Sequence, residues 1–215
     1  LDLARVFDVD LIGGDTTRGP LNVCVQILGE APPGQALRRS GARAGDEVWA
    51  SGALGDAALA LAHLRGDLAL EDEALKRVRE RLDRPTPRVV LGNALRGLAS
   101  SAIDVSDGLV ADAGHVAERS GVRLVLRWPA VPLSAVGKRL RDEPLMQRCA
   151  LAGGDDYELC FTVPASRHAE VTGLASRLGL ALTPIGTVEP GSGVTLVDAA
   201  GRAMALQARG FDHFL

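Results

Sequence analysis

Aromatic residues make up only 3% of this 215-residue chain. That scarcity excludes an aromatic-rich β-sandwich core and leaves an interior of Ala, Val and Leu, drawn from a hydrophobic fraction of 47%. Such an interior suits helices laid on a sheet. No run approaches the roughly 20 uninterrupted apolar residues of a membrane-spanning helix, so a membrane partner is not expected. The opening Leu1-Asp2-Leu3-Ala4-Arg5 has neither an initiating Met nor the basic-then-apolar layout of a signal peptide, which predicts that residues precede Leu1 in the natural chain. Cys24, Cys149 and Cys160 form no C-x-x-C pair, and His63, His115, His168 and His213 lie far apart. Neither a disulfide framework nor a zinc site is expected, and the default compartment is the reducing cytoplasm. The formal net charge of −3 is spread over interspersed signs, without the basic face that nucleic acid requires. Also missing are a G-x-x-x-x-G-K-[ST] phosphate loop, a G-x-G-x-x-G after a strand, and the H-R-D and D-F-G set of protein kinases. If the chain handles ATP, it does so by another architecture.

What is present reads as a mixed α/β chain (an α+β mixed sheet with helices). Short strands are expected at Val9 to Ile12 and, from strict alternation of apolar residues, at Leu21 to Leu28. Ala31-Pro32-Pro33-Gly34 interrupts the pattern, so the domain boundary is placed there, giving residues 1–32 and 33–215. Beyond it, Glu47 to Ser51 read as a strand and Gly52 to Gly55 as a tight loop. Asp56 is then expected to N-cap an Ala/Leu-rich helix ending near Leu64. Further helices are expected at Glu71 to Leu82, Val89 to Leu98, Gly108 to Ser120 and Arg167 to Leu178. Further strands are expected at Ser101 to Val105, Val122 to Leu126, Tyr157 to Val163, Thr183 to Val188 and Val194 to Val197.

Three polar turns could carry chemistry. Ile103-Asp104-Val105-Ser106-Asp107-Gly108 sets two carboxylates and a hydroxyl where a strand gives way to a helix. Hard oxygen donors of this kind suit Mg²⁺, which takes one or two carboxylates together with phosphate oxygens and water. The competing reading makes Asp107 a helix N-cap and Asp104 an Asx-turn residue. Gly13-Gly14-Asp15-Thr16-Thr17 offers a close backbone approach followed by a carboxylate and hydroxyls, or simply a polar turn. Gly153-Gly154-Asp155-Asp156-Tyr157 repeats the pattern before a strand. Acidic turns make a metal site only where they converge in space. Arg38, Arg39 and Arg43 follow the boundary, where a guanidinium fork can clamp phosphate, although each taken singly reads first as a solvated surface charge.

The ordered set GGDTTRG, RRSGARAGD, SGALGDAALAL, RPTPR, AIDVSDGL, GGDDYEL and GFDHF, spanning Asp10 to Phe214, closely resembles thiamine-monophosphate kinases. The resemblance implies the fold of aminoimidazole ribonucleotide synthetase, with residues 1–32 ending an N-terminal ATP-binding and homodimer-forming domain and residues 33–215 forming the C-terminal α/β domain. It implies ATP and thiamine monophosphate as ligands and Mg²⁺ as cofactor. Gly14, Asp15, Arg39 and Ser106 would contact ATP. Asp15, Asp104 and Asp107 would hold metal, while Asp155 and Phe211 would bind the substrate heterocycle. The family reads Gly-Gly-Glu-Asp-Tyr where this chain has Asp155, whose side chain is one carbon shorter, about 1.5 Å less reach. Joining two anions demands charge neutralisation by several acids holding divalent ions. The acceptor phosphate is already ionised, so no general base and no covalent enzyme intermediate are expected. Two rival readings are another ATP-using enzyme of the superfamily, such as the purine-pathway cyclo-ligase, selenophosphate synthetase or the hydrogenase-maturation carbamoyl dehydratase, and a non-catalytic nucleotide-binding module.

Overall fold

The structure is a computed structural model that describes residues 2–205. Two compact units are distinguished, one ending at Ala36 and the other beginning at Leu37.

The short unit begins with α1 (Asp2–Val6) and continues without a further helix or strand among the described residues. The strands expected at 9–12 and 21–28 do not form. Leu21, Val23, Val25 and Ile27 alternate as read, yet each is at least 75% exposed. Alternation specifies which face a strand buries, but a strand also needs a neighbour for its N–H and C=O groups, and none among the described residues takes that place.

Among its described residues the larger unit holds six strands, β1 (Asp46–Ser51), β2 (Ser101–Asp104), β3 (Arg123–Arg127), β4 (Leu159–Pro164), β5 (Leu182–Glu189) and β6 (Gly193–Val197). They lie in the order β2-β4-β1-β5-β3-β6, antiparallel except for the parallel pair β3 and β6. Seven α-helices accompany them among the described residues: α2 (Asp56–Arg65), α3 (Asp72–Asp83), α4 (Val89–Leu95), α5 (Leu109–Ser120), α6 (Ala135–Arg139), α7 (Pro144–Ala152) and α8 (His168–Leu178). The mixed α/β class expected from composition is the one observed.

Alternation along β1 divides the core. Val48 and Ala50 join a large cluster with Leu59 of α2, Leu109 of α5 and Met146 of α7. Trp49 points the other way and stacks on Phe161 with ring centroids 6.4 Å apart, beside Leu91 and Leu95 of α4 and Val171 and Leu174 of α8. Against β5, β1 slips register between Val48 and Trp49, which pair with Gly186 and Pro184. The extra residue, Ile185, accommodates a proline that cannot donate to the ladder.

Local readings needed adjustment. Asp56 does not cap α2. The N-cap is Gly55, at φ +88°, and the Asp56 carboxylate instead accepts from Ser134 Oγ at 2.7 Å. β4 begins at Leu159 rather than Tyr157, because Asp155 and Tyr157 have φ of +67° and +49°, outside the strand region. Helices α6 and α7 had no sequence expectation. The first has five residues and the second nine, opened by Pro144, lengths at which a 3.6-residue period is hard to read.

Candidate active site

Two of the three acidic turns are joined by backbone. Beyond the register pair Asp104 and Leu159, the ladder between β2 and β4 continues into the loops. Val105 N–H donates to the Glu158 carbonyl at 2.8 Å, Tyr157 N–H to the Val105 carbonyl at 2.8 Å and Asp155 N–H to the Ser106 carbonyl at 3.0 Å. This juxtaposition needs glycine. A Cβ on Gly154 would stand 2.5 Å from the Ser106 carbonyl oxygen, and one on Gly108 would stand 2.8 Å from the backbone of Ala152. Neither backbone contact can yield as a flexible side chain would.

Asp112, one turn into α5, fixes the first loop from below. Its Oδ2 accepts from the backbone N–H groups of Ser106 and Asp107, both at 3.0 Å. The N-cap of α5 is Gly108, so Asp107 does not fill the capping role that was its alternative reading. Asp104 is exposed, and its carboxylate accepts no hydrogen bond among the described residues, so the Asx-turn alternative is not realised.

The site is electronegative. Burial raises the Asp112 carboxyl above its ordinary value, and the charges of Asp107 and Asp104 add to that rise against the two backbone donors. The Tyr157 hydroxyl donates to Asp155 Oδ1 at 3.2 Å. Its pKa is raised first by burial, then by Asp155, with smaller contributions from Asp104 and Asp107. Asp104, Asp107 and Asp155 therefore act on a common neighbourhood. Among the described residues, no three Asp, Glu, His or Cys side chains stand close enough to hold a metal ion by themselves. A pair of carboxylates still suits Mg²⁺, whose remaining positions are commonly filled by phosphate oxygens and water.

A groove of about 300 Å³ opens beside this loop, lined by Arg39, Arg88, Gly92, Asp104 and Leu159. It brings Arg39 and Asp104, named independently from the sequence, to one surface. Behind the second turn lies a buried acid pair. Asp156 is 1% exposed and accepts from Gly55 N–H through both carboxylate oxygens, at 2.9 and 2.8 Å. Burial raises its pKa well above the ordinary carboxylate range, opposed in part by that hydrogen bond. Glu158, also 1% exposed, is held by Arg81 at 2.8 Å, Arg88 at 2.5 Å and Ser51 Oγ at 2.5 Å.

Of the expected residues, Arg39, Asp104, Ser106, Asp107 and Asp155 belong to the larger unit, gathered on the groove and the two joined turns. Gly14 and Asp15 lie in the short unit, where Asp15 Oδ1 accepts from Thr16 N–H at 2.7 Å. Phe211 falls outside the described residues. Sequence reasoning assigned no role to Asp112, Arg88, Arg81 or Glu158. The last lies inside GGDDYEL and Arg88 inside RPTPR, but their contact joins positions 70 residues apart.

Comparison with known proteins sharpens this picture. The family described as AIR synthase related protein, C-terminal domain, matches residues 43–199. The thiamine-monophosphate kinase of Salmonella typhimurium is 42% identical over 99% of this chain and 66% of its own length. The crystal structure of thiamine-monophosphate kinase from Stenotrophomonas maltophilia is 44% identical with a TM-score of 0.84, covering 94% of this chain and 65% of that one. AaThiL complexed with AMPPCP and TMP is 35% identical with a TM-score of 0.68, covering 83% of this chain and 54% of that one. The chain thus spans just under two thirds of the length of the relatives it matches. With the family's domain extending over most of the larger unit and the mixed sheet superposing on these structures, the chain belongs to the AIR synthase related family.

Proposed function

We propose that the protein transfers the γ-phosphoryl group of ATP to thiamine monophosphate, forming thiamine diphosphate and ADP, with Mg²⁺ as cofactor. The observation that carries this reading is the joining of the Asp104–Gly108 and Gly153–Tyr157 turns beside a groove lined by Arg39. Asp104, proposed for the cation, and Arg39, proposed for phosphate, line the same groove. The 42% identity to a thiamine-monophosphate kinase and the relative complexed with AMPPCP and TMP support the choice of ligands.

Asp104 and Asp107 would hold the cation, and Ser106 would contact the nucleotide from the same loop. Bound Mg²⁺ supplies neutralisation of phosphate charge. Arg39 orients a phosphate through its planar fork. Asp155, exposed and accepting from the Tyr157 hydroxyl, would bind the substrate heterocycle together with Phe211. Gly14 and Asp15 are proposed as ATP contacts, Asp15 also as a metal ligand. The acceptor is an ionised phosphate, so transfer relies on in-line positioning and charge neutralisation, without a general base.

We further propose that residues 1–32 end an N-terminal ATP-binding domain through which the protein forms a homodimer, that residues 33–215 form the C-terminal domain, and that the protein works in the cytoplasm. Among the described residues no helix is long and apolar enough to cross a membrane. The test is to incubate the full-length protein with ATP, Mg²⁺ and thiamine monophosphate and separate the products by chromatography. Equimolar ADP and thiamine diphosphate support the reading, whereas ATP turnover without thiamine diphosphate rejects it.

A further inference from the structure

Arg88 is delivered to the groove by an unusual piece of backbone. It follows Pro85-Thr86-Pro87, whose rings fix φ at two of three positions, and immediately precedes α4. Its Nε and Nη2 donate to Glu158 Oε2 at 2.7 Å and Oε1 at 2.5 Å. That bidentate geometry fixes the plane of the guanidinium. The remaining nitrogen, Nη1, donates to no group among the described residues. No buried side-chain nitrogen or oxygen of the described residues lacks a partner, so Nη1 reaches solvent. The surface Arg88 reaches is the groove it shares with Arg39 and Asp104.

A purely structural ion pair accounts for this arrangement poorly. Glu158 is already engaged by Arg81 and by Ser51 Oγ, and one carboxylate faces two guanidinium groups. The side chain of Arg88 keeps 17% exposure while that of Glu158 keeps 1%. The result is a cation locked on one side and open on the other, beside a second arginine. Pre-orientation of the planar guanidinium lowers the entropy lost when an oxyanion binds to it.

We propose that Arg88 is a phosphate-binding residue that completes a two-arginine clamp with Arg39, and that Glu158 is its positioning residue. This rests on the reading of the protein as a phosphoryl transferase. The ligand is a phosphate oxyanion, supplied either by the nucleotide tail or by the phosphorylated acceptor.

The experiment measures calorimetric binding of AMPPCP and of thiamine monophosphate, each alone, to the full-length protein and to Arg88→Met. Because Arg81 and Ser51 still satisfy Glu158, the variant is expected to fold. Arg88→Lys, which keeps the charge but not the fork, serves as the second variant and is expected to show a smaller loss. Weakening of AMPPCP by about tenfold or more, with thiamine monophosphate unchanged, assigns Arg88 to the nucleotide phosphates. The converse assigns it to the acceptor. Unchanged affinity for both, in variants that fold and with a wild type that binds, overturns the clamp alone. A wild type that binds neither ligand removes the kinase reading and the clamp with it. For Glu158 the readout is non-additivity: Glu158→Gln weakens the same ligand, yet adds no further loss on top of Arg88→Met. Additive losses overturn its positioning role.

Discussion

The backbone N–H of Asp155 donates to the carbonyl of Ser106 at 3.0 Å. Through that bond a turn that would bind the substrate and a loop that would bind metal and nucleotide become one rigid unit. The first prediction concerns the glycine beside it. Gly154→Ala would set a Cβ 2.5 Å from the Ser106 carbonyl oxygen. Relieving that overlap means separating the turns, at a cost of about 1–3 kcal/mol. Urea unfolding should show the loss of stability, and turnover should fall with it.

Asp104 tests the opposite case, chemistry without stability. The side chain is exposed and accepts no hydrogen bond among the described residues. Asp104→Asn should therefore leave unfolding within about 0.5 kcal/mol of wild type. If Asp104 holds the cation, turnover should drop by about 100-fold or more. Retained activity would remove it from the metal site.

Asp112 should behave as a loop anchor. Asp112→Ala leaves the N–H groups of Ser106 and Asp107 without their acceptor, costing about 1–3 kcal/mol. Amide hydrogen exchange at Ser106 and Asp107 should accelerate. Unaltered exchange at both positions would mean that the loop is held by other contacts.

Asp156 carries a pH signature. Its folded pKa is raised well above the reference of 3.8, chiefly by burial. Between the two values the folded state binds more protons than the unfolded state, so stability falls as pH rises from 3.8 towards the raised value. The full contribution is present below 3.8 and lost above the folded pKa. Asp156→Asn keeps an oxygen for Gly55 N–H but cannot ionise. Its stability relative to wild type should therefore improve as pH rises above the reference of 3.8, read from urea midpoints at each pH. A difference that stays flat with pH would contradict the raised carboxyl.

Much of the larger unit could be read in advance where a residue pattern meets a physical requirement. Leu109, Val110, Ala113, Val116 and Ala117 recur at helical spacing and are buried in α5, and Gly121 closes that helix at φ +66°. The strand read at Glu47 to Ser51 forms as β1 (Asp46–Ser51). The alternation at Leu21 to Ile27 misled, because a pattern specifies a face but supplies no partner strand. In the site, Asp104, Ser106, Asp107 and Asp155 stood out as polar turns flanked by glycine. Their union depends on the β2 and β4 register, which joins residues 55 to 61 positions apart in sequence. Arg88 and Glu158 were legible only as charges, since a buried arginine and a solvated one look alike until the acid behind it is seen.

The most direct test of the account follows the phosphoryl group itself. The full-length protein is supplied with Mg²⁺, thiamine monophosphate and ATP radiolabelled in its γ-phosphate, and the label is traced in products and protein. In-line transfer predicts label in thiamine diphosphate and none retained on the protein when the acceptor is omitted. Label found only in inorganic phosphate, or covalently on the protein, would contradict it.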